Sequence, residues 1–574
     1  MTSSWPSKST APLMAIGRRW LSSTAVLIIA LAALVTMPMS AAGQTSGSSQ
    51  GGITALPLSG TAVPAAADRT AELGLITAIP DALRREGWRG TPAGDAVALI
   101  KQLPLAGSVA KQTLLLALLA GQSPAPDGAE ATFLSARLDA LAQRGGAPAL
   151  IAMAADPRLV TAMDEPAKAR LTDHLLRLGA TEAACTLVAD ALTQHGSADW
   201  QRRATGCDLL NGETGAGLFG LEILREDGEA GPFMTLASAV AGTGPAPNEW
   251  PDAAALTAIE RRMAQQLGLT APADAGHAAL AALKRASEPS TPDPARAIAA
   301  FAAAGAGLLD GDALAAVLTE INTPVLDLAT ITDAATPLQR VALWQGAEAE
   351  PLDIVRVEWV ALGAAHARSL TEAALYTPLI QPDTVSDWLA PALAPVTLAR
   401  GTTDVGLAWA LLTPPAQQVQ LWPLLALATA EREAPPPALG PISSRWAALG
   451  DRRNPRDLQL LVAAGLLPQP ANWTAVWLRQ RNQAEQTQDR TPSPPSSLAD
   501  PGLARRALAD AAARGQVAAT VALALIMLGD APAGVAPTEN VAAAIAALRQ
   551  VGLTQSAYAI ALEDLATQRR AEMP

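Results

Sequence analysis

The chain has 574 residues, half of them hydrophobic, and its formal net charge is −12. Charged residues make up 16% of the chain and aromatic residues only 3%. An acidic chain with no run of more than two Lys or Arg is a poor nucleic-acid binder, because each phosphate contact requires a cation. Alanine and leucine dominate the apolar half, and both favour helices.

The first 42 residues have the layout of a secretory signal. Three basic residues precede an apolar run from Ala25 to Val35, and small residues end the segment at Ala42. This order predicts cleavage near Ala42 and places the protein in the periplasm or outside the cell. The apolar run is shorter than the about 20 residues of a membrane span. The alternative is that this segment stays uncleaved and anchors the chain in the inner membrane.

The rest of the chain reads as helices separated by Gly and Pro. Residues 43–67 are rich in Gly and Ser and predict a flexible linker. Beyond them, no stretch alternates apolar and polar residues over six positions, so no strand is expected. The predicted helices are 68–78, 93–102, 107–120, 129–144, 166–178, 181–194, 199–210, 214–226, 232–241, 252–268, 273–287, 312–320, 337–346, 351–369, 384–390, 403–412 and 415–432, followed by helical sequence in 455–489 and four helices in 499–572.

Proline-rich breaks divide these helices into blocks. We therefore expect an all-α fold of stacked antiparallel helical hairpins, an α-solenoid or superhelix with two to three sub-domains. The blocks are a helical-hairpin domain at 68–241, a helical domain at 252–432, a helical segment at 441–489, a disordered linker at 490–498 and C-terminal hairpins at 499–574.

A turn of the form Gly-x-Thr recurs at Gly179–Thr181, Gly212–Thr214 and Gly552–Thr554. Its glycine is predicted to end one helix and its threonine to cap the next. The first two turns are 33 residues apart, close to a period of about 34. In residues 171–226 and 538–572 the chain thus resembles tetratricopeptide-like α-helical repeat proteins. The resemblance implies a protein-binding scaffold and carries over no catalytic residue.

The two cysteines of the chain, Cys185 and Cys207, lie in neighbouring predicted helices. They stand at similar distances from the turn at residues 195–199, so an antiparallel hairpin would bring them to the same height. In an exported protein this predicts an intramolecular disulfide. The alternative, a reactive or metal-binding thiol pair, is disfavoured because the chain has no C-x-x-C motif.

Several short motifs of this chain occur in catalytic or ligand-binding sites of other proteins, but the neighbouring sequence elements that such sites require are missing. Gly215–Gly220 fits G-x-G-x-x-G, but a predicted helix precedes it where a dinucleotide site needs a strand. Ser108–Lys111 fits S-x-x-K without the S-D-N and K-T-G elements of that enzyme class. Asp312 is better explained as a helix N-cap than as a calcium ligand. The four histidines stand singly. We expect no catalytic residue, no metal site and no cofactor.

Tryptophan is the one side chain with an uneven distribution. Such a set could line a groove that anchors a peptide or stacks on sugar rings. In the other interpretation, the tryptophan rings fill the gaps that small alanine side chains leave between packed helices. The tryptophans occur one at a time along the chain, which favours this interpretation. The eight candidates are Trp344, Trp359, Trp388, Trp409, Trp422, Trp446, Trp473 and Trp477.

These patterns predict an exported, non-catalytic scaffold that binds a protein or peptide partner in the cell envelope. The alternative is a cell-wall module related to the superhelical part of peptidoglycan-cleaving lytic enzymes, with wall glycan as its partner. We expect no nucleic-acid partner. Contact with a membrane is expected only through an uncleaved signal segment.

Overall fold

A computed structural model describes residues 79–128, 131–249, 256–269, 278–328, 331, 335–382, 387–469 and 501–572. Several sequence predictions lie outside these residues: the signal at 1–42, the linker at 43–67, the helix at 68–78, Trp473, Trp477 and the linker at 490–498.

The described residues contain 27 α-helices and no β-strand, which confirms the all-α class. Two short 3₁₀ helices lie at Asp387–Leu389 and Gly450–Arg452. The α-helices are α1 (Asp81–Glu86), α2 (Ala93–Gln102), α3 (Val109–Ala120), α4 (Ala131–Gln143), α5 (Ala147–Ala155), α6 (Pro157–Ala162), α7 (Glu165–Leu178), α8 (Thr181–His195), α9 (Ala198–Leu210), α10 (Thr214–Glu226), α11 (Pro232–Val240), α12 (Ala258–Gln266), α13 (Ala278–Ser287), α14 (Asp293–Gly305), α15 (Gly311–Thr319), α16 (Pro337–Ala349), α17 (Asp353–His366), α18 (Leu370–Ala374), α19 (Ala390–Ala399), α20 (Thr403–Leu412), α21 (Pro415–Ala428), α22 (Leu439–Ala447), α23 (Pro455–Ala463), α24 (Pro501–Ala513), α25 (Val517–Leu528), α26 (Thr538–Gln550) and α27 (Thr554–Glu572).

In the recurring Gly-x-Thr turn, the prediction that the glycine ends a helix is confirmed. The prediction that the threonine caps the next helix is wrong. Gly179, Gly212 and Gly552 all have positive φ, between 81° and 83°. Each glycine N–H and the next N–H donate to carbonyls of the helix just ended, which is the Schellman pattern. Thr181 and Thr214, however, are already the first helical residues, and the residues before them make no side-chain cap.

Four helices that the sequence did not predict contain proline, namely α5, α6, α14 and α19. Pro294 lies in the first turn of α14, where a missing N–H costs little. Pro395 lies inside α19. Of the helix expected at 384–390, residues 384–386 lie outside the described residues. Asp387–Leu389 form a 3₁₀ helix, and α19 follows it directly.

Arginine side chains connect many helices by binding the carbonyl groups at the ends of neighbouring helices. Arg137 of α4 donates from Nε to Leu119 O at 2.8 Å and from Nη2 to Gly121 O at 2.9 Å, at the C-terminal end of α3. The last carbonyls of a helix lack partners within it, and a guanidinium fork can satisfy two of them. Carbonyls at the ends of other helices accept from Arg144, Arg296, Arg400, Arg549 and Arg570.

The last helices pack on the first. Consecutive helices such as α7, α8, α9 and α10 pack side by side, as a hairpin array predicts. In addition, α25 contacts α1, α2 and α3, while α27 contacts α3, α18, α19 and α21. The hydrophobic core is continuous from Ile79 to Ala566. These contacts differ from an open repeat stack, in which each hairpin touches only its neighbours.

Candidate functional site

A cavity of about 1120 Å³ lies where the first, middle and last helices of the described chain meet. We call it the junction cleft. Its volume exceeds the range of about 300–1,000 Å³ that is typical of small-molecule pockets. Its lining comes from within residues 79–81, 109–117, 310–312, 370–374, 396–400, 431 and 552–563.

The wall of the junction cleft combines apolar side chains with a few polar ones. Val109 and Leu116 of α3 face Leu370 of α18 and Ala559 of α27 around the cavity, and all four are only partly buried. Apolar surface that remains accessible in a concave site favours binding, because a ligand gains by removing it from water.

The first turn of α3 is tied to the C-terminal helices at the edge of the junction cleft. Ser108 is the N-cap, and its Oγ accepts the Lys111 N–H at 3.4 Å. The Ala110 N–H donates to Glu563 Oε1 of α27 at 2.9 Å. Lys111 Nζ donates to Gly529 O and Ala531 O, at 3.2 Å and 2.6 Å. The S-x-x-K match is therefore a helix N-cap followed by a lysine that binds backbone carbonyls.

Glu563 is the partly buried acid of the junction cleft. Burial raises the pKa of its carboxyl group, while Ser108, the Ala110 N–H and Lys111 oppose the rise. Its Oε2 is buried and has no hydrogen-bond partner. The positive end of α3 favours a carboxylate at this position. One oxygen is thus used to cap α3 and the other is left without a donor.

The lining is strongly acidic. Glu563 is joined by four exposed acids, namely Asp81, Asp310, Asp312 and Glu431. Arg400 is the one cation of the lining. It donates to Ala374 O at 2.7 Å and lies 3.6 Å from Asp312. Asp310, which accepts the Ala313 N–H at 2.8 Å, is the N-cap of α15, so the assignment of that role to Asp312 was wrong.

The tryptophans among the described residues do not line this cleft. Trp344, Trp409 and Trp446 are buried in the core. Trp359 and Trp422 are half-buried and pack against it. Trp388 is 58% exposed.

The G-x-G-x-x-G match lies inside α10, and two of its three glycines, Gly217 and Gly220, serve close helix packing. A Cβ on Gly217 would collide with Leu209, and one on Gly220 with Thr205, both on α9. A helix precedes the motif, as predicted from the sequence.

The cysteine pair joins α8 to α9. Cys185 and Cys207 are bonded, with a Cα–Cα distance of 5.4 Å, and both are buried. A separation of 5.4 Å lies within the range that disulfides adopt. The bond between the two cysteines agrees with the prediction from the hairpin geometry.

The buried histidine of the described chain makes a structural contact. His174 is buried, and its Nε2 lies 2.8 Å from Asp139 Oδ1. No group of three or more His, Cys, Asp or Glu among the described residues is arranged to hold a metal ion. None of the described helices is both long and apolar enough to cross a membrane.

Comparisons of the chain with protein-family models, with curated proteins and with solved structures found no match. The tetratricopeptide resemblance therefore stays a prediction. The residues of the junction cleft carry no sequence motif, because they come from helices that lie up to several hundred residues apart. Sequence reasoning identified Ser108, Lys111 and Asp312 only as parts of other patterns and missed Glu563 and the capping role of Asp310.

Proposed function

We propose that this protein is an exported, non-catalytic helical scaffold that binds a segment of a partner protein in the junction cleft. The observation that carries the proposal is the cleft itself, a 1120 Å³ cavity with partly exposed apolar walls at the meeting point of three parts of the chain. A volume of this size suits a peptide segment better than a small metabolite.

Export is supported by the signal-like N-terminal sequence and by the bonded cysteines. Disulfides persist in oxidising compartments such as the periplasm. Fractionation of cells, followed by mass spectrometry of the N-terminus, tests this part. A chain that begins near Gly43 in the periplasmic fraction is expected. An intact N-terminus in the membrane fraction would instead support the anchored alternative.

The binding site can be tested by photo-crosslinking in cells. A photoreactive amino acid is placed at Ser556 or Ala399 in the cleft wall and, as a control, at the exposed Ala216 of α10. The cleft positions should give a discrete protein adduct that the control position does not give. Equal adducts at all three positions, or none, would contradict the proposal. Adducts with wall glycan at the cleft positions would support the cell-wall alternative.

A further inference from the structure

The acids of the junction cleft are only partly compensated by cations. Asp81 pairs with Arg84, and Asp312 lies near Arg400. Among the described residues, no Lys or Arg lies within ion-pairing distance of Asp310 or Glu431. Glu431 instead accepts a hydrogen bond from Gln555 at 3.2 Å. The mouth of the cleft therefore carries an excess of negative charge.

Glu563 adds a second, independent observation. This residue lines the cavity, and its buried Oε2 lacks a donor. Lys111 is nearby, but its ammonium group is used by two backbone carbonyls. A carboxylate in such surroundings is stabilised by any cation that enters the cavity, because water screens the attraction less in a concave, partly apolar site.

We infer that the segment bound in the junction cleft is cationic, with apolar side chains and at least one Lys or Arg. This inference rests on the proposed function. Apolar walls select the apolar side chains, and the acidic lining selects the positive charge. The same field repels an anionic occupant such as an acidic peptide or an anionic wall polymer.

The test is a selection of random peptides of about 12 residues displayed on phage, with the purified protein as bait. The Ser556→Trp and Ala559→Trp variants each place a bulky ring in the cleft wall, and Ala216→Trp places the same ring on an exposed face of α10. Peptides that bind the wild type and Ala216→Trp, but neither cleft variant, are cleft-dependent. Thermal melting by circular dichroism identifies any variant that does not fold, so that the other one decides.

The cleft-dependent peptides are expected to contain more Lys and Arg than Asp and Glu, relative to the unselected library. Cleft-dependent peptides without this bias would overturn the charge inference and leave the proposed function standing. Peptides that bind all variants equally, or no enrichment at all, would overturn the proposed function.

Charge variants give a second readout. The association rate of a selected Lys-containing peptide should fall about tenfold in the double variant Asp312→Asn, Glu431→Gln at about 50 mM salt. The matched control removes two exposed acids at the end of α10, Glu226→Gln and Asp227→Asn, and should leave the rate unchanged. Equal rates in the two double variants would overturn the assigned role of these acids.

Discussion

At the residue scale, the pair Asp457–Arg569 shows how buried charge holds α27 in place. Their side chains are 3% and 5% exposed, and they contact each other between α23 and α27. Burial raises the pKa of Asp457 to about 6, and Glu572 adds to the rise, while Arg569 and Arg456 oppose it. Arg569 also donates to Gln420 O at 2.9 Å, which links α27 to α21. Removing one member of such a pair leaves the other charge buried and unpaired.

The raised pKa of Asp457 predicts a pH dependence of stability. An unfolded Asp titrates near about 3.9. Because the folded pKa is higher, the folded state binds the proton more tightly, and this contribution to stability is lost as pH rises from about 4 through about 6. Between these values it should fall by on the order of 2 kcal/mol. Urea unfolding of the wild type and of Asp457→Asn at both ends of this range measures the difference.

The exposed Asp353→Asn variant serves as the control, because its side chain is 60% exposed. It should show the same change with pH as the wild type. If Asp457→Asn also matches the wild type, then Asp457 is not the group that titrates.

Two glycines of α10 make a matched pair for testing helix packing. A Cβ on Gly220 would meet the buried Thr205, whereas one on Gly215 would meet nothing within 4 Å. Gly220→Ala should therefore lower the free energy of unfolding by about 1–2 kcal/mol, despite the better helix propensity of alanine. Gly215→Ala should raise it by about 0.5 kcal/mol. Thermal melting that moved both variants in the same direction would contradict this reading of α9–α10 packing.

The role of a single residue could be predicted from the sequence where that role requires a backbone conformation that few residue types adopt. Gly179 could be assigned to a helix end because few other residues adopt positive φ. Thr181 could not be distinguished from an N-cap, because Ser and Thr are also common one position later. Which helix a carboxylate such as Glu563 caps depends on the tertiary fold, and the local sequence does not predict it.

At the scale of elements, the α8–α9 hairpin shows how closely local sequence can predict structure. Both helices were predicted to within one residue, and the Cys185–Cys207 bond joins them. The bond spans 22 residues, so closing this loop should stabilise the fold by about 3 kcal/mol in the chain-entropy model.

Replacing both cysteines by serine should lower the free energy of unfolding by about this amount. Denaturant unfolding of the double variant, beside the wild type with and without reductant, measures the effect. Reductant should destabilise the wild type and leave the double variant unchanged. Mass spectrometry of the unreduced protein should show two hydrogens fewer than the thiol form, and two free thiols would refute the bond.

Helices were missed where tertiary packing overrides a local breaking signal. Proline at Pro395 argues against a helix, yet α19 is buried by its packing on α20 and α27. The segment before α14 reads as a break because prolines cluster there, but one of them occupies a first-turn position. The helical periodicity of Ala-rich sequence is also weak, since alanine occurs on both the buried and the exposed face.

At the scale of the whole described unit, the cleft exists because distant parts of the chain meet. The Ala110–Glu563 hydrogen bond joins residues 453 positions apart. Lys111 and Ala531 are 420 positions apart. The all-α class could be predicted from the composition. Contacts between residues so far apart produce no periodic pattern in the sequence, so the junction cleft could not be predicted from it.

The role of α27 in holding this arrangement can be tested by truncating the chain after Leu553. Amide hydrogen exchange should then accelerate in peptides from α3 and α19, which contact α27 in the full chain. Peptides from the disulfide-linked α8 and α9 are the internal control, because these helices pack mainly on each other and on neighbouring hairpins. Unchanged protection of α3 would show that α27 does not support the first helices.

The pairing of α3 with α27 also bears on how this protein would be made. The Glu563 side chain that caps α3 is synthesised only after more than four hundred further residues have left the ribosome. The earliest helices cannot complete their packing before then, and contacts between such remote positions form slowly. The faces of α3 and α19 that pack on α27 in the folded protein therefore have no partner until residues 554–572 have been made.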